Sequence, residues 1–167
     1  MTPFPALVRA LQISVVLVLI GGTVAAQSPA RETLRPRFDQ ITAQAVAGTL
    51  RKSPSDDGGR LAWGESYLLA ALVEMFAVSH DDTHAAHIVA LGDWIDRARD
   101  DLHGRRDEVR NRIMPAWSSA HYSKGRRYTW AVHTGMIAAP LARFAAIVKR
   151  EMSKWSKVIA GAGIRPE

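Results

Sequence analysis

The sequence predicts an all-α chain. Three observations carry this. Apolar residues recur at helical spacing in four segments, about 38–52, 62–78, 83–101 and 130–150. The breaks between them carry the residues that end helices, such as SPSDDGG at 53–59 and SHDD at 79–82. The segments also alternate in character, amphipathic, apolar, amphipathic, apolar, the order expected of outer and inner helices paired as antiparallel αα-hairpins.

The first 26 residues stand apart. A short leader with one positive charge, the compact run ISVVLVLI at 13–20 and the small residues Val24, Ala25 and Ala26 read as a secretory signal peptide cleaved after Ala26. A membrane-spanning helix needs about 20 apolar residues, and this run is shorter. The expected location is therefore the periplasm or the exterior, the alternative being a chain anchored by an uncleaved N-terminal segment. The sequence contains no cysteine, so an exported chain of this kind is stabilised by packing, which favours the periplasm.

Residues 27–37, with Pro29 and Pro36, read as an irregular lead-in. The helical-hairpin domain is expected over 38–150. Its first helix places Phe38, Ile41, Ala45, Val46 and Leu50 on one stripe. The second, WGESYLLAALVEMFAV at 63–78, is apolar almost all round, so it should be an inner helix. Asp82 is the expected N-cap of the third, which turns Ile88, Leu91, Ile95 and Ala98 to one side. Residues 102–129 form a long irregular region, with room for a short helix across 107–113. The fourth helix, VHTGMIAAPLARFAAIV at 132–148, resembles the second and should run parallel to it, with a kink or break at Pro140. A tail follows over 151–167. With helices alternating up and down, the loop before the second helix and the loop before the fourth share one end.

The formal net charge is +6, and the basicity is local: nine Arg or Lys face four acidic residues between positions 97 and 127. Such a patch fits a solvated loop, or an acidic partner such as a uronate polysaccharide, a lipid headgroup or nucleic acid.

WGESYLL, the Ser-His-Asp-Asp turn, Arg99-Asp100-Asp101, Pro115-Ala116-Trp117, Tyr122 and VHTGMI before a proline together resemble the six-hairpin glycosidase-like superfamily, the (α/α)6 toroids, over roughly 34–149. The resemblance implies a cleft at the N-terminal ends of the inner helices and a carbohydrate, often an anionic polysaccharide, as ligand. It implies no nucleic-acid partner. A full toroid has six hairpins and this chain shows two, so it reads as a truncated, inactive product or as a smaller relative that self-associates through exposed apolar helix faces.

The candidate acid–base groups are Glu65, in the first turn of an apolar helix, Asp100 and Asp101 as a second carboxylate, and His133. A hydrolase would use Glu65 with one of the aspartates. A lyase would use His133 or Tyr128 as base. Each also has a plainer reading: helix-dipole placement for Glu65, a solvated or arginine-paired turn for the aspartates, a structural ring for His133. Trp63, Tyr67, Trp117, Tyr122, Tyr128 and Trp130 are the candidate stacking surface for a sugar, or else packing between loop and helices. Arg126 and Arg127 are candidates to neutralise a uronate. His80, His84 and His87 invite a metal reading, but His84 and His87 are one residue short of the i, i+4 zinc spacing, and no phosphate loop or nucleophile elbow is present, so neither metal nor cofactor is expected. The expected function is thus an exported carbohydrate-binding or carbohydrate-processing protein, the alternative being a non-catalytic helical-hairpin protein that binds a protein or envelope partner.

Overall fold

The computed structural model describes residues 29–162, and it is all-α: four α-helices, short turns of 3-10 and π-helix, and one two-stranded hairpin. The leader expected at 1–26 lies outside the described residues.

Helix α1 spans Pro29–Leu50, so 29–37 is helical and not an irregular lead-in. Proline is tolerated in a first helical turn, where its missing N–H has no partner to lose. Residues up to Asp39 form a first unit, in which Arg35 and Asp39 pair at 3.0 Å across one turn. The second unit begins at Gln40. There α1 buries Thr42, Val46 and Thr49, while Ile41 and Leu50 are exposed. Two small polar residues thus replace the expected Ile41 and Leu50 on the inner face, each occupying one helical step along it.

The chain next passes through a 3-10 turn at Asp57–Gly59 and a π-turn at Leu61–Glu65 into α2, Ser66–Ser79. Leu61, Ala62, Leu69, Leu72 and Val73 are fully buried. His80 ends α2 in the left-handed conformation, φ 52°, and donates its N–H to Phe76 O. Helix α3, Asp82–Asp96, is capped by Asp81 and not by Asp82: the Asp81 carboxylate accepts from Thr83 N–H at 2.8 Å. It buries His84, Ile88, Leu91, Trp94 and Ile95, one helical stripe, and ends short of the expected residue 101. Gly92 lets it approach its neighbour closely, since a Cβ there would meet the Leu141 side chain at 3.2 Å.

Residues 97–130 are irregular but stitched together by backbone bonds. The expected helix across 107–113 is instead a tight hairpin, β1 Arg106–Asp107 against β2 Arg112–Ile113, with Asn111 in the turn at φ 54°. A second antiparallel bridge joins Ser119 and Tyr128, and Glu108 N–H donates to Arg127 O. The reason lies in Asp107. Its carboxylate is buried and gathers the N–H groups of Val109 and Arg110 from its own turn and of Thr129 from the segment before α4, which ties this turn across the loop.

Helix α4 runs Ala131–Gly161, continuous through Pro140 and through most of the expected tail. Pro140 is buried and borders an apolar groove of about 290 Å³ between α2 and α4. Pairings between the helices advance in step along both: Trp63 with His133, Phe76 with Phe144, Glu74 with Arg143. The two helices are therefore parallel, as their similar sequences implied. Contrary to an all-round inner position, α4 buries only His133, Ile137, Pro140 and Ile147 and leaves Val132 exposed, and beyond the expected helix Met152, Trp155, Val158 and Ile159 are exposed too. By length and composition alone, Asp57–Ser79 and Ala131–Gly161 are each long and apolar enough to cross a membrane.

Candidate functional site

Parallel α2 and α4 bring their N-termini to one end, and the loops before them meet there. The centre of that end is a residue the sequence reading passed over as part of a turn. Asp56 is 5% exposed and uses both oxygens: Oδ1 accepts from the N–H groups of Leu61 and Ala62, at 3.0 and 3.2 Å, and Oδ2 accepts from His133 Nδ1 at 2.8 Å. The first pair caps the helical run that becomes α2, and the second ties it to the first turn of α4. Burial raises the Asp56 pKa above the ordinary carboxylate value, against the bonds from His133, Ala62 and Leu61 that favour its charge. With Nδ1–H given to the carboxylate, Nε2 is the ring nitrogen that Asp56 does not engage.

Rings surround His133. Trp63 and Tyr122 meet it edge-on, with centroids 5.5 and 5.6 Å away, and Trp130 lies tilted at 6.3 Å. Tyr122 donates its hydroxyl to Gly58 O, closing the long loop onto the first one. Gly59 completes the enclosure. Its φ is 72°, and a Cβ there would fall 2.6 Å from Trp63 Cδ1 and 3.1 Å from His133 Cε1. Gly59→Ala is expected to cost about 1–2 kcal/mol from the left-handed backbone alone and to displace the Trp63 ring. Chemical denaturation read by tryptophan fluorescence, with the native emission compared, checks both effects.

Glu65 is buried in the π-turn and pairs with Arg60 at 2.9 Å, and Arg60 in turn stacks over the Trp94 ring at 5.4 Å. Glu65 Oε2 and Arg60 Nη2 are sealed from water with no hydrogen-bond partner. Asp100 is buried within the long loop, where Oδ2 accepts from Ser118 N–H at 2.8 Å. Burial raises its pKa, opposed by the Ser118 bonds and by the charges of Arg127 and Arg105. Asp101 forms a surface pair with Arg99, whose hydrogen bond lowers its pKa. Glu65 and the two aspartates share no hydrogen-bonding partner, and each bonds within its own loop or turn.

Of the aromatic candidates, Trp63, Tyr67 and Tyr122 are 43, 54 and 50% exposed. Trp130 and Tyr128 are half-buried, packed edge to face at 4.7 Å. Trp117 belongs to the core, donating its indole N–H to Ile95 O at 2.9 Å. Arg127 holds Ser118 O and lies 3.7 Å from Asp57, while Arg126 donates to Glu108 O, so both guanidiniums brace the loop.

The hairpin brace gives a pH signature. Burial disfavours the charged form of Asp107, but donors from Arg110, Thr129 and Val109 outweigh it and hold its pKa at about 2, below the ordinary 3.8. A depressed folded-state value means that its stabilisation is complete above 3.8 and is lost as pH falls from there through about 2. Asp56 and Asp100, with raised values, act in the opposite sense, since the folded chain protonates them first. Asp107→Asn is therefore expected to flatten the loss of stability below pH 3.8, measured by denaturant melts over an acid series.

No family model, curated protein or solved structure matches the chain.

Proposed function

We propose that the chain is an exported carbohydrate-binding protein, with its sugar face at the shared N-terminal end of α2 and α4. The observation that carries this reading is the exposure of Trp63, Tyr67 and Tyr122 at that end, around buried His133 and half-buried Trp130 and Tyr128. Large rings left half in water are costly unless something covers them, and a saccharide offers both an apolar face for the ring and hydroxyls for its rim. Binding is favoured over hydrolysis because Glu65, Asp100 and Asp101 are separately engaged by Arg60, Ser118 and Arg99, and no two of them face a common space through a shared partner. The export part of the reading rests on the leader pattern in the sequence.

Thermal shift and calorimetry against a panel of oligosaccharides test the proposal. Trp63→Ala and Tyr122→Ala are expected to weaken binding about tenfold each, a stacking contribution near 1.4 kcal/mol per ring. A panel in which no sugar raises the melting temperature would sink it.

A second reading is favoured by a different observation. Met152, Trp155 and Ile159 form an exposed stripe at helical spacing on α4, beside Lys154 and Lys157. That stripe supports a helical-hairpin protein that binds a protein or envelope partner, or a second copy of itself.

A further inference from the structure

We propose that the last turns of α4 form a membrane-surface helix that lies on an anionic phospholipid bilayer. This rests on the second reading above, of the exposed α4 stripe as a surface for an envelope partner, and is independent of the sugar face.

Helix α4 outruns the body it packs on. The Phe76–Phe144 ring pair and the Glu74–Arg143 ion pair hold it to α2, and Ile147 is its last buried residue. From Val148 to Gly161 it continues for about 20 Å with no residue buried. A helix of that length is marginal in water on its own, so whatever covers its apolar side also holds it helical.

Its two sides indicate what that cover is. Met152, Trp155, Val158 and Ile159 fall within about 120° of the helix circumference, and all are exposed. Lys149, Arg150, Lys154 and Lys157 occupy the remainder, exposed as well. The one acid in these turns, Glu151, stands at the start of the stripe and pairs with Lys154 at 3.7 Å. Lys149, Arg150 and Lys157 make no ion pair among the described residues.

An apolar stripe backed by cations matches the edge of an anionic bilayer. The stripe enters the boundary of the acyl chains, and the lysine stems carry their ammonium groups out to the phosphates. Trp155 suits the headgroup level, where an apolar ring with one polar edge is at home, and Lys154 Nζ lies 5.8 Å from its centroid.

A second copy of the chain fits less well. Four side chains that are 42–64% exposed offer far less than the roughly 800 Å² per partner that a stable dimer buries. Pairing two such stripes would also set their lysines and arginines side by side, at a cost in like-charge repulsion.

Because the chain has no cysteine, one introduced cysteine can be spin-labelled alone. The full chain carries either Ile159→Cys, on the stripe, or Ser153→Cys, on the basic side. Each is mixed with vesicles of phosphatidylcholine, pure or with phosphatidylglycerol added. Collisions with oxygen, which concentrates in lipid, and with a water-soluble nickel chelate report where each label lies. The reading is local to α4, so the apolar run at 13–20, present in every variant, does not enter it. Sedimentation without lipid reads self-association.

The expected result is that anionic vesicles draw the label at 159 into lipid and leave the label at 153 in water. Neutral vesicles should draw it in at least about tenfold more weakly, and Lys149→Gln with Lys157→Gln should weaken the anionic case about tenfold or more. Every substituted side chain is exposed, so each variant keeps the packed contacts of the fold. A label at 159 that stays in water with anionic vesicles overturns the inference. A dimer in sedimentation would then keep the stripe as a contact between copies, and a monomer would leave it only a protein partner. Equal entry into neutral vesicles, or entry of both labels as in a helix that crosses the bilayer, overturns it as well.

Discussion

Asp56→Ala is expected to lower the unfolding free energy by about 2–5 kcal/mol, a lost helix cap of about 1–2 kcal/mol together with about 1–3 kcal/mol for the buried His133 donor left unsatisfied. Three losses coincide at this residue. Leu61 and Ala62 N–H lose their acceptor at the start of the α2 run, and His133, only 2% exposed, is left with Nδ1 facing a void. Urea denaturation monitored by circular dichroism gives the magnitude. The contrast with Asp56→Asn is the sharper measurement, because asparagine preserves the cap and the packing and removes only the charge. If both variants lose equally, the charge of the pair dominates. If asparagine is much milder, the fold depends on the acceptor and not on the charge of Asp56. A loss below about 1 kcal/mol in the alanine variant, the range of a simple cap, would show that His133 and the turn do not depend on Asp56.

Trp94→Ala is expected to be of similar size, about 3–5 kcal/mol, as for other large aromatic side chains removed from a core. Trp94 is 1% exposed, and it does more than fill space. Its indole N–H donates to Lys52 O at 2.8 Å, which pins the turn after α1, and its ring face carries the Arg60 guanidinium that pairs with Glu65. Removing the ring therefore unsettles a partly buried ion pair at the entrance to α2 as well as the core. Trp94→Phe separates the two roles. It keeps most of the volume and loses the bond to Lys52, and should cost about 1–2 kcal/mol, the hydrogen-bond share. Equal losses in the two variants would mean that the volume of the ring contributes little.

Much of this fold was legible in the sequence because it rests on periodicity. The apolar stretches at 63–78 and 132–148 marked α2 and α4, and their shared make-up anticipated that they run parallel. Helix ends were less legible. Pro29 and Pro36 read as breakers at the start of α1, yet the helix contains both, and Pro140 sits within α4 without ending it. Proline weighs against a helix locally, and tertiary packing outweighs it where the ring is buried, as at Pro140. The hairpin at 106–113 was missed for another reason. What decides it is the collection of N–H groups by Asp107, with Thr129 supplied from 22 positions away, and no local pattern records that.

The site divides in the same way. Trp63, Tyr122, Trp130 and His133 were gathered at one end by connectivity alone, and the structure brings them into ring contact. Asp56 was overlooked since an aspartate in SPSDDGG is an ordinary turn former. Its burial, its bonds from Leu61 and Ala62 N–H and its pairing with His133 distinguish it from Asp57, which is exposed. Trp117, by contrast, carried the right chemistry for a sugar surface and was claimed by the core through Ile95.

The bond between Asp56 and His133 spans 77 positions, and that between Tyr122 and Gly58 spans 64, whereas the α2–α3 connection closes over a few residues. Closing a long loop costs more entropy, and contacts of large sequence separation form slowly. The aromatic end is accordingly expected to form after the contacts within the α2–α3 hairpin.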